Sequence, residues 1–389
     1  MRRERSAPRP DWEARIAEQG LVYGSPATNA DGSRRPYWDE SVHYVFELDE
    51  VLSLEADVEL LHSMCLDAVD NVVTTERYQD FGLPEWVWPA LAESWRRHDP
   101  HLYGRFDLRY DGSGPAKLLE YNADTPTSLL EAAVVQWHWL TDTHEGHDQW
   151  NSIHEKLVER WGELADQLPS PLVHFTFSGA DASGEDHLTA AYLQETAAEA
   201  GLDTVGLAIE EIGWDPVLRR FVDLREDPMG TVAKLYPWEW LVDDPFGKHA
   251  VQTLPGTLWI EPLWKMLLSN KALLAVLWEM YPGHPNLLPA YLNEPGFLTE
   301  YVKKPLLGRE GANIDIVAPG MEQRTGGVYG AEGFVYQLFS PLPEFDGMRP
   351  VLGAWVVGDH SAGLGIRETV GLVTDDGAAF VPHRIPQSS

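Results

Sequence analysis

Cysteine is almost absent from this chain, since Cys65 is the only one among 389 residues. A single cysteine can form neither a disulfide within the chain nor a cysteine-rich metal site, and nothing points to an oxidising compartment. It lies in a predicted helix, LSLEADVELLHSMCLDAVDNVV, whose apolar residues mark one face. We expect a buried, unreactive thiol there, with a reactive nucleophile as the less favoured alternative. The apolar face comprises Leu60, Leu61, Met64, Ala68 and Val72.

Basic residues are also scarce: there are 29 Lys and Arg against 61 Asp and Glu, and the formal net charge is −32. Nucleic acids and anionic membranes bind to basic surfaces, so neither is expected as a partner. The charge suits a cationic substrate such as an amine. Most of it can equally serve solubility alone, and that alternative stays open.

Long hydrophobic runs are missing as well. No stretch reaches the roughly 20 apolar residues that cross a membrane, and the first residues, MRRERSAPRPDWEARI, have no apolar core of the kind found in signal peptides. Repeats of roughly 20 to 50 residues are absent, which argues against solenoids and propellers. The sequence therefore predicts a cytoplasmic globular protein, and its 44% apolar content can fill several packed subdomains.

Two common nucleotide-binding motifs do not occur, because the chain has neither GxxxxGK[ST] nor a GxGxxG that opens a helix. What it does have is a strong hairpin signal in GRFDLRYDGSGPAKLLEYNAD. Apolar and polar residues alternate in GRFDLRYD, which is typical of a half-buried strand, and DGSGP is typical of a turn. A hairpin symmetric about that turn places Asp107 opposite Glu120 and Arg105 opposite Asn122.

The second strand of the hairpin is predicted to carry Leu118, Glu120 and Asn122 on one face, with Leu119 and Tyr121 on the other. Two carboxylates that face each other in a sheet repel unless something neutralises them. Oxygen ligands on rigid strands suit Mg²⁺, which takes one or two carboxylates and completes its octahedron with water and nucleotide phosphates. A hairpin whose polar side merely faces solvent is favoured equally by the pattern alone.

A helix is predicted directly after the hairpin, in TPTSLLEAAVVQWHWL. Thr125 and Pro126 open it, and Ser128 and Glu131 have the spacing of a capping box. Since the helix starts just beyond Asn122, its N-terminal amides could hold an anionic group beside the metal.

A β-α-β unit is predicted next, from the strand LVHFTF through the helix HLTAAYLQETAAEA, which ends at Gly201, to the strand TVGLAI. Open α/β sheets bind ligands in the loops at the C-terminal ends of such strands. The loop SGADASGED carries Asp181, Glu185 and Asp186, for which a cationic group is the natural partner. In the alternative interpretation Asp186 caps the helix and the other two are solvated.

The last third of the chain combines a helix with several strands. EPLWKMLLSNKALLAVLWEMY is predicted to be helical, with Ser269 and Asn270 as caps ahead of Lys271. The strand YVKKP leads into LLGREGANI, where two glycines let the backbone fold over a phosphate and Arg309 offers a forked anion donor, although such a segment is usually just a turn. GFVYQLF and VLGAWVVG are expected to close the sheet, and GLGIRE places Arg367 after a tight turn.

Several segments in this order resemble the synthetase domain of glutathionylspermidine synthase and its stand-alone homologues: LLEYNADTPTSLLEAAVVQWHWL, EPLWKMLLSNKALLAVLWEMYP, YVKKPLLGREGANI and GLGIRE. The resemblance runs from about Tyr37 to the C-terminus. It implies a mixed α+β and α/β architecture, namely an ATP-grasp fold in permuted order, with a pre-ATP-grasp-like β-α-β subdomain. We expect an N-terminal segment with the metal-binding hairpin at 1–130, a substrate-binding α/β subdomain at 131–250, and a nucleotide-binding subdomain with a flap at 251–389.

The resemblance also implies roles for individual residues. Arg105 would contact the reacting acyl-phosphoryl group as the catalytic residue, and Glu185 and Asp186 fall where the family recognises its amine. The metal ligands would be Asp107, Glu120 and Asn122; ATP would meet Lys271, Lys304, Arg309, Glu310, Gly311, Tyr336, Gln337 and Arg367; and the acyl substrate would meet Thr125, Thr127 and Ser128.

Two lysines, an arginine-bearing flap and carboxylates for Mg²⁺ are the groups that phosphoryl transfer needs. We therefore expect an ATP- and Mg²⁺-dependent C–N ligase that joins a peptide-like carboxylate to an amine, with polyamines among the candidates, through an acyl phosphate. The chain carries no counterpart of the amidase domain of bifunctional members, so no amidase activity is expected. A catalytically silent nucleotide- and amine-binding protein and a carbohydrate hydrolase are the alternatives, and the sequence identifies neither substrate nor oligomeric state.

Overall fold

The computed structural model of the protein describes residues 1–254, 256–375 and 377–387. Within these ranges no helix combines the length and the apolar character needed to cross a membrane. The α-helices of the described residues are α1 (Trp12–Glu18), α2 (Leu48–Thr75), α3 (Trp88–Arg96), α4 (Gln136–Thr143), α5 (Ile153–Leu164), α6 (Glu185–Glu199), α7 (Trp238–Asp243), α8 (Gly247–Gln252) and α9 (Leu273–Met280).

A five-stranded antiparallel sheet carries the hairpin at one edge. In spatial order its strands are β20 (Ala379–Val381), β19 (His360–Thr369), β18 (Arg349–Val357), β5 (Tyr103–Arg109) and β6 (Lys117–Asn122). VLGAWVVG thus pairs with the hairpin, and the prediction that it closes one sheet with GFVYQLF is wrong. Arg367 lies within β19 rather than after the tight turn that GLGIRE predicts. The turn lies earlier in the chain, before β19 begins, and the glycines of GLGIRE are part of the strand.

The long apolar run of β18 is explained by burial on both faces of this sheet. Leu352 and Ala354 belong to the core that includes α2, whereas Trp355 and Val357 belong to the core that includes α5. Successive side chains of a strand point to opposite faces, so a strand covered on both sides is apolar throughout.

A second antiparallel sheet carries the glycine-rich segment. Its spatial order is β13 (Ala290–Leu292), β17 (Phe334–Leu338), β14 (Tyr301–Pro305), β15 (Asp315–Ala318) and β16 (Met321–Arg324). The predicted strands YVKKP and GFVYQLF are neighbours in it, as β14 and β17. LLGREGANI connects β14 to β15, and we call residues 306–313 the flap.

The predicted β-α-β unit is confirmed within a parallel sheet. Its strands are β12 (Leu258–Ile260), β11 (Thr231–Leu235), β7 (Leu172–Phe177) and β8 (Asp203–Ala208), and α6 connects β7 to β8. The remaining strands form small sheets: β1 (Arg2–Arg5) with β4 (Val42–Val45) and β21 (His383–Arg384), β2 (Ala27–Thr28) with β3 (Arg34–Arg35), and β9 (Gly213–Asp215) with β10 (Arg220–Val222).

The helix through Cys65 is confirmed as α2, and Cys65 is buried in it. Burial raises the pKa of that thiol, which favours the unreactive form. Leu60 was placed on the apolar face but is 47% exposed. A helix of this length gives several apolar positions, and only those that face the core are covered.

The helix after the hairpin begins later than predicted. Thr125 and Pro126 precede it, and the backbone of Ser128 is left-handed, with φ 67°, so helical geometry starts only at Leu129. A π-helical turn follows and runs into α4. The capping-box prediction is wrong, because the Glu131 carboxylate accepts a hydrogen bond from the phenol of Tyr37 at 2.5 Å instead.

The helix predicted in EPLWKMLLSNKALLAVLWEMY is broken into a short 3₁₀ turn, Leu263–Met266, and α9. Asn270 acts as predicted, because its side-chain oxygen accepts a hydrogen bond from the Ala272 amide at 2.9 Å. Ser269 instead accepts one from the amide of Ala123 at 3.1 Å. The hydrogen bond to Ser269 therefore connects this segment to the end of the hairpin.

Glu368 holds the N-terminal segments against β19. Its fully buried carboxylate accepts hydrogen bonds from Arg3 at 2.7 Å, from Arg35 at 2.9 Å and from the phenol of Tyr44 at 2.5 Å. Burial by itself disfavours the charge, but the hydrogen bonds and charge of Arg3 outweigh burial and lower the pKa of Glu368 below its ordinary value. Removing this carboxylate would deprive two buried guanidinium groups of their shortest ion pair and leave them only Asp346 and Asp39, each at 3.3 Å.

Replacing Glu368 with Gln should lower the free energy of unfolding by about 3 kcal/mol, because breaking a buried ion pair strands the partner charge. Urea unfolding at pH 7 measures the difference. Glu322→Gln is the matched control, since Glu322 is 60% exposed and pairs with Arg324 at 2.6 Å. The control should change the free energy by at most about 0.5 kcal/mol. Equal losses in the two variants would contradict the prediction.

The gap in stability between wild type and Glu368→Gln should also depend on pH. The folded-state pKa of Glu368 is lowered, so its ionised form contributes stability above its ordinary pKa, and this contribution disappears as the pH falls through the lowered value. Unfolding free energies measured from pH 7 down to about pH 3 should therefore converge below the ordinary carboxyl range. A gap that stays constant to the acid end would count against the ionic role.

Candidate active site

The hairpin aligns its polar residues as predicted. Asp107 on β5 pairs with Glu120 on β6, and Arg105 pairs with Asn122. Two strands therefore present carboxylate, amide and guanidinium groups at neighbouring positions of one sheet edge.

Closer to the turn the register shifts by one residue. Leu108 pairs with Leu118, where a symmetric hairpin would have used Leu119. Leu118 is consequently buried with Tyr121, and the prediction that it shares a face with Glu120 is wrong. The extra residue is a β-bulge, which bends the strand and interrupts the ladder of backbone hydrogen bonds.

Lys304 and Gln337 bond to the bulged part of β6. The Lys304 ammonium donates to the carbonyl of Leu119 at 2.9 Å and to the side-chain oxygen of Gln337 at 2.8 Å, and the Gln337 amide donates to the carbonyl of Leu118 at 2.9 Å. Tyr336 lies on the opposite face of β17, where its ring is 5.3 Å from that of Tyr301. The structure thus brings Gln337 to Lys304, but not the side chain of Tyr336.

Asp107 is held between two arginines. Its carboxylate accepts hydrogen bonds from Arg105 Nε at 2.9 Å and from Arg367 Nη2 at 2.5 Å. Arg105 also donates from Nη1 to the backbone carbonyl of Thr127 at 2.7 Å. Arg367 therefore reaches the hairpin from β19, although the two are far apart in sequence.

Glu120 faces the lysines. Its carboxylate is 3.2 Å from the Lys271 ammonium and accepts a hydrogen bond from the Asn122 amide at 3.0 Å. Burial favours the neutral acid, but the charges of Lys271 and Lys304 outweigh it and lower the pKa of Glu120 to about 2. Burial also lowers the pKa of Lys304, to about 8, although Glu120 opposes that change. These groups are therefore electrostatically coupled.

The flap lies over this cluster. The Lys271 ammonium donates to the carbonyl of Gly308 at 2.6 Å, and Arg309 donates to Glu239 on α7 at 2.8 Å and to the hydroxyl of Thr125 at 3.3 Å. A cleft of about 320 Å³, open to solvent, lies between hairpin and flap. Residues that line it include Asn122, Thr125, Glu239, Lys271, Gly308 and Arg309.

Two consecutive flap residues have left-handed backbones. Glu310 has φ 51° and Gly311 has φ 69°. A Cβ atom at position 311 would lie 2.6 Å from a methyl carbon of Val373 and 3.2 Å from the carbonyl of Thr374. Glycine at 311 thus satisfies both the backbone conformation and the close approach.

The acidic loop lies at the start of α6. Asp181 caps that helix, because its carboxylate accepts hydrogen bonds from the amides of Ser183 at 2.9 Å and Asp186 at 3.0 Å. The alternative in which Asp186 is the cap is therefore not what the structure shows. Burial, reinforced by the charges of Asp181 and Glu185, raises the pKa of Asp186 to about 7. A cation bound there would relieve the repulsion among these carboxylates.

Glu185 connects the acidic loop to the hairpin. Burial raises its pKa, while hydrogen bonding from Thr127 and the charge of Arg105 oppose the rise. Thr127 therefore lies between Arg105, which bonds to its carbonyl, and Glu185. The neighbouring Ser128 is buried. Thr125 thus contacts the flap through Arg309, and the Thr127 carbonyl contacts the hairpin through Arg105.

Two further carboxylates at the site have no functional signal in the sequence. Glu131 accepts hydrogen bonds from Tyr23 and Tyr37, while its second carboxylate oxygen has no partner among the described residues. Burial, followed by the charge of Glu185, raises the pKa of Glu131 to about 7. The other is Glu239. Their partners are distant in sequence, so no local motif could have revealed either.

The donor chemistry of the hairpin fits Mg²⁺. Asp107, Glu120 and Asn122 offer oxygen donors on paired strands. No group of three or more His, Cys, Asp or Glu that could hold a metal occurs among the described residues, so water and nucleotide phosphates would have to complete the coordination. More basic side chains than carboxylates lie around Asp107 and Glu120, and this excess of positive charge matches an anionic ligand.

Comparison with known proteins identifies close relatives. A protein of Haemophilus influenzae, provisionally named an acid–amine ligase, is 44% identical and aligns over 96% of this chain and 97% of its own length. Trypanothione synthetase of Crithidia fasciculata is 28% identical over 91% of this chain, and the bifunctional glutathionylspermidine synthetase/amidase of Escherichia coli is 29% identical over 80%. The chain spans only 58% and 54% of the lengths of these last two proteins.

The fold has a counterpart among solved structures. A glutathione synthetase-like effector from Globodera pallida superposes with a TM-score of 0.57 at 11% identity, covering 97% of this chain and 96% of the other. At that identity the similarity concerns the fold alone. The family model described as glutathionylspermidine synthase preATP-grasp matches residues 3–386. With that match and the Haemophilus relative, the chain belongs to the glutathionylspermidine synthase family.

Proposed function

We propose that the protein is an ATP-dependent carboxylate–amine ligase that forms an amide between a peptide-like carboxylate and an amine, with polyamines among the candidates. The observation that carries this proposal is the convergence of basic groups on one hairpin under a glycine-containing flap: Arg105, Arg367 and Lys271 on its carboxylates, and Lys304 on the carbonyl of Leu119. Phosphoryl transfer needs alignment and charge neutralisation more than covalent help from the protein, and these groups supply both. Acid–amine ligation is also the activity named for the Haemophilus relative.

The proposed fold is an ATP-grasp fold in permuted order. Support comes from the chain order, in which the hairpin with Asp107 and Glu120 precedes Lys271 and Lys304. The division of the chain into segments 1–130, 131–250 and 251–389 is also part of this proposal. The hairpin nevertheless shares a sheet with β18 and β19, so the first and last segments would fold together.

In the proposed reaction the substrate carboxylate attacks the terminal phosphate of ATP, giving an acyl phosphate and ADP, and the amine then displaces phosphate. Lys271 and Lys304 would neutralise the phosphates, and Arg105 would stabilise the oxyanion of the tetrahedral intermediate. Asp107, Glu120 and Asn122 would hold Mg²⁺, which would supply positive charge to offset the charge of the phosphates.

The flap and the acidic loop have separate proposed tasks. The flap would exclude water, because an acyl phosphate hydrolyses readily once solvent reaches it. Glu185 and Asp186 would bind the remote ammonium group of a diamine or polyamine while its other nitrogen reacts. Burial, followed for Asp186 by the charges of Asp181 and Glu185, raises their pKa values, and a bound ammonium group would stabilise the charged forms.

Lys304→Ala and Glu120→Ala should each lower ATP-dependent turnover on the order of 100-fold or more, because charge stabilisation in a closed site is lost. The assay supplies Mg-ATP with panels of peptides and polyamines, and follows both ADP and amide. Lys303→Ala is the matched control: Lys303 lies on the other face of β14, 3.5 Å from Asp315. It should retain turnover within about a factor of three.

The same assay separates the ligase from the alternatives. ADP and amide formed in equal amounts by the wild-type protein would support the proposal. ATP binding without ADP formation across the whole panel would favour a silent binding protein. Full turnover in Lys304→Ala or Glu120→Ala would defeat the roles given to those residues.

A further inference from the structure

Arg309 of the flap is anchored to the far wall of the cleft. Its Nη2 donates to the Glu239 carboxylate at 2.8 Å, its Nη1 donates to the Thr125 hydroxyl at 3.3 Å, and its guanidinium carbon lies 5.4 Å from the ring centre of Trp240. An ion-paired hydrogen bond to a carboxylate, a hydrogen bond to a hydroxyl and a cation–π contact therefore act on one side chain. Two of the three partners are on α7.

The helix that carries Glu239 is itself firmly held. The Trp238 amide donates to the Asp124 carboxylate at 2.8 Å, and the Trp238 indole donates to the carbonyl of Glu261 at 2.9 Å. Asp124 is buried and also pairs with Lys234 at 2.5 Å. Glu239 thus projects from a support fixed by buried polar contacts, which is the condition for a side chain that positions another.

The negative charge of Glu239 would be unfavourable in this cleft if it were not paired with Arg309. It lines a cleft that also contains Lys271 and that we assign to anionic phosphates, where a free carboxylate would repel the ligand. Its ionic partner among the described residues is Arg309. Burial by itself disfavours the charged guanidinium, but the charge of Glu239 leads the effects that raise the pKa of Arg309. The pairing cancels the repulsion and fixes the direction of the arginine.

We propose that Glu239 is a positioning residue that docks the flap through Arg309 before nucleotide enters the cleft. The docked pair sets Arg309 at the cleft wall, where the same guanidinium can also meet an entering phosphate group while Glu239 keeps its direction fixed. Flap closure is thereby coupled to α7, which is next to the parallel sheet that carries the acidic loop. The inference rests on the proposed ligase function for the identity of the anion, but the docking itself can be measured without any nucleotide.

The first test measures hydrogen exchange of amides in residues 306–313, without ATP, in wild type, Glu239→Gln and the control Glu322→Gln. Loss of the charge-assisted bond should speed flap exchange in Glu239→Gln roughly tenfold, whereas the control should match wild type. In an Arg309→Ala background, Glu239→Gln should add no further change, because its partner is already gone. Unchanged exchange in Glu239→Gln, or an equal added effect in that background, would overturn the proposal. Urea midpoints establish that each variant is folded.

The second test measures the ratio of ADP released to amide formed. A poorly docked flap admits water, so Glu239→Gln should raise this ratio several-fold above wild type, and Glu239→Asp should restore part of the coupling. A ratio that stays at the wild-type value while flap exchange is faster would overturn the link between docking and water exclusion. If the wild-type protein forms no ADP at all, the proposed function fails, and the exchange data alone decide the docking.

Discussion

Two carboxylates facing each other across a hairpin are the constraint on which the rest of this site depends. Asp107 and Glu120 are paired neighbours in the sheet, and like charges in that position are destabilising unless cations compensate them. Arg105 compensates locally, whereas Arg367, Lys271 and Lys304 come from distant parts of the chain. The fold can therefore be understood as an arrangement that delivers basic side chains from β19, β14 and the turn before α9 to this one sheet edge.

The sequence predicts the parts of the site that depend on neighbours along the chain. The alternation of the strands and the turn residues predict the hairpin from local signals, whereas the register of Asp107 against Glu120 also depends on the bulge, because the pairs beside the turn are centred on Ser113. The bulge at Leu119 is not predicted, because what makes it favourable is non-local: its carbonyl accepts a hydrogen bond from Lys304. Without that donor the interrupted ladder would leave an unpaired carbonyl, and the regular register would be expected.

Non-local pairing also explains the other errors. The apolar pattern of VLGAWVVG indicates a strand buried on both faces, but contains nothing that selects the hairpin as its neighbour over GFVYQLF. The spacing of Ser128 and Glu131 fits a helix cap, yet Tyr37 provides a better donor to Glu131 from a segment nearly one hundred residues earlier. Burial of that carboxylate favours the short, direct bond to the phenol.

The environment of the Lys304 ammonium suits the binding of an anion better than it suits the stability of the free protein. Its pKa is lowered to about 8, so the folded chain disfavours the charged form despite the nearby Glu120. A buried ammonium with only carbonyl and amide acceptors retains unused capacity for an anion, and an anionic ligand would return the pKa toward its ordinary value. Under the proposed function, an arriving phosphate would add to the compensation that Glu120 already supplies, and part of the cost of burying this charge would become affinity for a polyanion.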